Sequence, residues 1–166
     1  MKKCVILRGV AGSGKSTYGK QFYPNAYVCS ADFYHMYDVT QPDGSVKSEY
    51  KWDPGKAGMA HSNCMNDFIE AVSKGVELVV VDNTNIRRYE FQNYVKLARV
   101  FGYVVNIIEM TLRSPDDMRL CAGRNQHGVP EPVVQSMTDL FEPAEALDLP
   151  RDVQVKKVYI QRPAVV

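Results

Sequence analysis

The sequence lacks several features that would sort it quickly. Its four cysteines, Cys4, Cys29, Cys64 and Cys121, form no C-x-x-C pair, so the spacing of a structural zinc site is missing. They lie far apart, three in apolar surroundings, and read as buried free thiols of a reducing compartment. No apolar run approaches the roughly 18 residues of a membrane-spanning helix. Met1-Lys2-Lys3 ahead of an apolar run imitates a signal peptide, but the run is short and leads into a glycine-rich loop; a cytoplasmic protein that binds no membrane is expected. Net charge is only +1, from 20 Lys and Arg against 19 Asp and Glu. That argues against broad electrostatic binding to long nucleic acid and leaves room for a local basic groove. There is no N-K-x-D element to select guanine, no internal repeat and no low-complexity tract. What remains is an ordinary globular composition, 45% hydrophobic and 23% charged over 166 residues. This suits one domain, expected to span 1–166, with a sizeable core.

The first strong signal is "LRGVAGSGKST", Leu7 to Thr17. The preceding Cys4-Val5-Ile6-Leu7 is β-prone and unbroken, which fits a strand at 4–8 buried on both faces of a parallel sheet. Gly9 to Ser16 then matches G-x-x-x-x-G-K-[ST] at every fixed position. Gly9, Gly12, Ser13 and Gly14 form a turn whose N–H groups point into one hollow. The next helix opens with unpaired donors and its positive dipole end on the same hollow. A nucleoside triphosphate, ATP, is the natural occupant. Lys15 is placed to reach the β- and γ-phosphates, the Ser16 hydroxyl to ligate Mg²⁺, and Thr17 to touch the α-phosphate.

Strand-like and helix-like runs alternate after this loop. The pattern predicts helix 15–22, a short strand at Tyr27–Ser30, helix 54–74 and strand 78–81. It continues with helix 87–101, strand 103–110, helices 115–124 and 132–142, and a last edge strand in "VQVKKVYI". "TQPDGS", within Tyr37 to Asp53, reads as an exposed loop or hairpin. The alternation predicts a three-layer α/β fold, a mostly parallel sheet with helices on both faces and a first-loop phosphate site.

Ligands of such sheets sit beyond the carboxyl ends of the strands. Asp32 follows "YVCS", as a carboxylate that either takes a proton from an attacking hydroxyl or caps a short helix. Asp82 ends "ELVVV". It either holds Mg²⁺ through water, pairs with a mobile arginine, or joins Asn83, Thr84 and Asn85 in forming a turn. Arg113, Arg119 and Arg124 supply cations for phosphoryl oxygens; for Arg119 the alternative is an (i, i+3) pair with Asp116. His61 is read as a satisfied core histidine on the apolar face of helix 54–74. Tyr34, Tyr37, Tyr50 and Trp52 either offer a stacking surface for a base or pack down their loop.

"GVAGSGKST", "SADFYH", "VVVDNTN" and "GRNQHGVP", in this order and spacing, resemble the polynucleotide kinase branch of the P-loop kinases, over about residues 3–142. The phage 5′-hydroxyl polynucleotide kinase domain belongs to this branch. So do kinase-like domains attached to some eukaryotic ubiquitin-ligase-binding proteins, whose "DNTN" and "RN-x-HGV" elements are the more similar. The resemblance implies a P-loop NTPase fold with a small helical lid at about 113–130. It also implies Mg²⁺-dependent transfer of the ATP γ-phosphate to a hydroxyl, usually a nucleic-acid 5′ end. By matching positions, Lys15 and Ser16 hold phosphates and metal, Asp32 is the general base, Arg124 is a catalytic lid arginine and Asp82 orders a lid arginine. His35 stands where the phage enzyme has an arginine three residues after its base, and His127 where it has a second lid arginine. A histidine is only partly charged near neutral pH, which leaves the acceptor open. Another hydroxyl, on a modified DNA base, a nucleoside or a small metabolite, is the alternative; a non-catalytic ATP-binding module is a third.

Overall fold

A computed structural model describes residues 1–164; the last two positions of the expected 1–166 domain lie outside the described residues. The strands are β1 (Lys3–Arg8), β2 (Tyr27–Cys29), β3 (Met36–Thr40), β4 (Val46–Tyr50), β5 (Leu78–Asp82), β6 (Val104–Thr111) and β7 (Gln154–Tyr159). The helices are α1 (Lys15–Phe22), α2 (Ala57–Ser73), α3 (Arg88–Val100), α4 (Pro115–Arg124) and α5 (Glu131–Leu140). Short 3₁₀ turns occupy Ala31–His35, Pro54–Lys56 and Ala144–Ala146.

Five strands form one sheet in the order β2-β5-β1-β6-β7, every neighbouring pair parallel. β1 lies at its centre, with Leu7 beside Asp82 on one side and Ile108 on the other. Successive strand residues face opposite sides of a sheet, and the core divides accordingly. Cys4, Ile6, Val79, Val81, Val105 and Ile107 pack under α2 and α3. Val5, Leu7, Val80 and Ile108 pack with Tyr18, Met118, Cys121 and Val134 of α1, α4 and α5. Helices therefore cover both faces, and the three-layer expectation holds. All four cysteines are free and buried in these layers. Burial pushes the Cys4 thiol up to about 12, and those of Cys29, Cys64 and Cys121 upward as well. Among the described residues no helix is long and apolar enough to cross a membrane.

The "TQPDGS" segment resolves as a hairpin. β3 and β4 pair antiparallel from Met36–Tyr50 to Thr40–Val46, around a turn in which Gly44 has φ +83°. The weakly alternating C-terminal run becomes β7, an edge strand parallel to β6. Helix 54–74 begins as a 3₁₀ turn, capped by the Asp53 carboxylate accepting from the Gly55 N–H at 2.9 Å, and turns α-helical at Ala57. His61 corrects an expectation: it is exposed rather than a core residue. The buried stripe of α2 runs through Ala60, Cys64, Phe68, Ala71 and Val72, and His61 sits one residue, about 100° around the helix, off that stripe.

The root of the phosphate loop is pinned by Arg8, which is fully buried. Its guanidinium donates to the Glu109 carboxylate at 2.9 Å and to the main-chain oxygens of Asn85, Ile86 and Glu142. The rings of Phe91 and Phe141 lie 4.4 and 4.6 Å from its carbon centre. Burial lowers its pKa, opposed by the nearby carboxylates of Glu109, Glu142 and Glu90. Glu109 also accepts the Ala144 N–H at 3.0 Å.

Candidate active site

α1 begins immediately after Gly14, which takes φ +91°. This left-handed step turns the chain from β1 into the helix and leaves the first N–H groups of α1 without intrahelical partners. Gly12, at φ +77°, is constrained twice. A side chain is strained at that φ, and a Cβ there would fall on the Cys121 carbonyl of α4. α4 thus packs directly on the phosphate loop. Gly12→Ala is expected to push α4 off the loop and weaken ATP binding at least tenfold, read by calorimetric titration. It should also lower Tm by several degrees.

A cleft of about 970 Å³ opens over this loop. Gly12, Ser13, Gly14, Lys15, Ser16 and Thr17 line it, and so do Asp32, His35, Arg124 and His127. Gly9 lies beneath, its N–H donating to the Thr84 carbonyl at 2.9 Å. Asp82 is not in the wall. It ends β5 beside Leu7, and its Oδ1 is buried without a hydrogen-bond partner.

Asp32 is carried by the 3₁₀ turn that follows β2. Ser30 caps that turn, its hydroxyl accepting the Asp32 N–H at 3.3 Å, which leaves the Asp32 carboxylate uninvolved in capping. One carboxylate oxygen lies 3.3 Å from His127 Nε2. Tyr50, at the end of β4, faces the same carboxylate. Burial, then the charge and hydrogen bonding of Asp32, push the Tyr50 phenol up to about 12, so it stays a proton donor at ordinary pH. The rings of Tyr50 and His127 lie 3.9 Å apart, and His35 meets Tyr50 edge-on at 5.8 Å. His35 is itself buried, with Nδ1 unpartnered. A carboxylate offers about four acceptor positions. Tyr50 and His127 approach the half-exposed Asp32 carboxylate from the cleft and leave acceptor positions open to it.

Arg124, on the last turn of α4, donates from Nε to the Gly12 carbonyl at 2.6 Å and from Nη1 to the Gln161 carbonyl at 2.9 Å. Its hydrogen bonds go to the phosphate loop and the segment after β7, not to Asp82. Arg119 pairs with Asp116, the (i, i+3) alternative. Arg113 donates to the Ile160 carbonyl and stacks behind the wall residue Tyr159 without lining the cleft itself. Of the four candidate stacking residues, Tyr50 and Trp52 line the cleft. Tyr34 is instead bonded to Asp67 and Tyr37 to Lys56.

The "DNTN" run does more than form a turn. Asn83 accepts the Ala31 N–H at 2.9 Å and donates to Cys64 Sγ at 3.4 Å, which fixes the start of the Asp32 turn against α2. Asn85, at φ +48°, donates to the Leu7 carbonyl at 2.8 Å. One short loop therefore ties the Asp32-bearing turn to the phosphate loop. Asparagine suits the task because it tolerates a left-handed φ and carries both donor and acceptor.

The model of the AAA domain family (AAA_33) matches residues 4–144. Human NEDD4-binding protein 2 is 29% identical over 146 residues, covering 83% of this chain and 8% of that protein. The chain thus spans a small part of that relative. A sugar kinase from Janibacter sp. HTCC2649 superposes with TM-score 0.59 at 17% identity, covering 98% of this chain and 88% of that one. The AvrRxo1-ORF1:AvrRxo1-ORF2 complex, determined with ATP, superposes with TM-score 0.57 at 17% identity, covering 82% of this chain and 46% of that one. The fold is that of the P-loop kinases.

Proposed function

We propose that this protein, which belongs to the AAA domain family, is an ATP-dependent kinase that transfers the γ-phosphate to a hydroxyl, the 5′-OH of a polynucleotide in the first instance. One observation carries the reading. The Asp32 carboxylate opens into the same cleft as Lys15 and Ser16 of the phosphate loop, with capacity to accept a proton. In the transfer, the acceptor oxygen forms the new bond to the γ-phosphorus as the bond to the β–γ bridging oxygen breaks. The hydroxyl proton passes to Asp32, and ADP leaves.

The loop N–H groups and Lys15 hold the phosphates in line. Mg²⁺, when bound, neutralises charge on the β- and γ-oxygens. Ser16, which lines the cleft, would hold it, while Asp82 stands outside the cleft wall with its Oδ1 buried. Residues at about 113–130 are proposed as a lid, with Arg124 seated on the loop and His127 on the base.

The polynucleotide acceptor rests on the four-motif resemblance. A second reading, a kinase of sugar-like or other small hydroxyls, has the likeness to a sugar kinase fold behind it. A retired, non-catalytic site has little support, since Lys15 and Asp32 both stand in place. Incubation with γ-labelled ATP, Mg²⁺ and a panel of 5′-OH oligonucleotides, nucleosides and sugars is expected to label the oligonucleotides. Lys15→Ala should abolish that labelling. No incorporation into any acceptor would refute the kinase reading.

A further inference from the structure

We infer that the acceptor is held as a terminal nucleoside, its base stacked on Trp52, with no contact to its own phosphates. This rests on the kinase reading above and names what the acceptor half of the cleft grips. The part of the wall drawn from residues 31–84, which includes Asp32, His35, Tyr50, Trp52, His61 and Asn83, holds no lysine or arginine among the described residues. The cations of the cleft stand on other elements: Lys15 and Lys20 on α1, Arg124 on α4, Lys156 and Lys157 on β7. Arg124 is bonded to Gly12 and Gln161, Lys156 lies over the rings of Tyr18 and Phe22, and Lys157 is paired with Glu145. Nearer the acceptor, Lys56 is bonded to the Tyr37 hydroxyl, and Lys51 is outside the wall.

Phosphate recognition depends on lysine, arginine or helix N-termini; neither cation stands on this wall, and at the start of α2, where Ala57 lines the cleft, the leading N–H groups of Gly55, Lys56 and Ala57 are already taken by Asp53 and Pro54. The histidines are poor substitutes: His35 Nδ1 is sealed from solvent, and His127 faces the Asp32 carboxylate. What the wall does offer is aromatic surface. Trp52 is 58% exposed, an unusual state for so large an apolar ring. Among the described residues it joins no ring–ring pair. Bare aromatic faces on a cleft wall are platforms for bases, each tolerant of sequence because every base has a π-face.

Trp52 is the chain's one tryptophan, so its fluorescence reports on this wall alone. With a non-hydrolysable ATP analogue and Mg²⁺ filling the phosphate site, thymidine and a 5′-OH oligothymidylate are each titrated against the protein. Both are expected to quench, with Kd values within about threefold and nearly constant between about 50 and 200 mM salt. An oligonucleotide with an abasic 5′ end should leave the fluorescence unchanged. With ATP, Trp52→Ala should raise KM for thymidine by roughly 5- to 150-fold, with kcat changed less than threefold. Binding that requires a phosphate on the acceptor and falls steeply with salt would overturn the inference while leaving the kinase reading intact. So would phosphorylation of the abasic end or a sugar as efficiently as the nucleoside. Quenching without phosphate transfer to any acceptor would instead support the platform and refute the kinase reading.

Discussion

Asp32→Asn is expected to lower kcat by about 10²–10⁴ while leaving ATP affinity within twofold of the parent. The asparagine keeps the shape of the side chain and an oxygen for Tyr50, but its amide does not take the acceptor's proton. On the proposed reading ATP is held elsewhere, by the loop donors from Gly12 to Thr17 and by Lys15. Single-turnover transfer to a 5′-OH oligonucleotide measures the first quantity, and calorimetric titration of ATP the second. The two readouts must separate. If ATP affinity fell together with kcat, Asp32 would belong to the nucleotide site, and its assignment as base would fail.

Glu109→Leu should cost about 3–5 kcal/mol of stability, because it leaves the Arg8 guanidinium buried without its counter-charge. Domains of this kind have a total stability of about 5–15 kcal/mol, so the variant stands near unfolding at physiological temperature. The loss has a second source in the Ala144 N–H, which surrenders its acceptor. Arg8→Met combined with Glu109→Leu should be far milder than the single change, since both charges then leave together. Urea unfolding of the three variants measures this. An additive or worse double variant would show that Arg8 stabilises mainly through Asn85, Ile86 and Glu142 rather than through the ion pair. The pair matters for function because Arg8 directly precedes Gly9, so its loosening frees the phosphate loop at its root.

The parts of the molecule legible in the sequence are those whose signal is local. The phosphate loop, the apolar strands β1 and β5, and helices α2 and α3 follow from short-range pattern and glycine placement. The hairpin was half legible: turn residues marked its tip, but nothing local distinguished paired strands from an open loop. β7 alternates weakly because an edge strand buries little, and its parallel pairing with β6 is a property of the whole sheet. His61 misled because it lies four residues after Ala57, a helical spacing that reads as core, while the stripe itself runs through Ala60 and Cys64. The least legible features are long-range. Asn83 reaches Ala31 across 52 positions and Asn85 reaches Leu7 across 78; in the sequence both read only as turn residues. Arg124 reads in the sequence as a lid arginine, whereas its seat on the Gly12 and Gln161 carbonyls depends on where α4 packs. Of the four aromatic candidates, only the fold separates Tyr50 and Trp52, in the cleft, from Tyr34 and Tyr37, which are tied to Asp67 and Lys56.

The most direct test of the mechanism is a crystal structure of the protein with a non-hydrolysable ATP analogue, Mg²⁺ and a 5′-OH dinucleotide. The account predicts the acceptor oxygen within about 2.6–3.2 Å of an Asp32 carboxylate oxygen, on the face of the γ-phosphorus opposite the β–γ bridge. An Asp32 side chain turned away from an acceptor that lies in line for attack would contradict it.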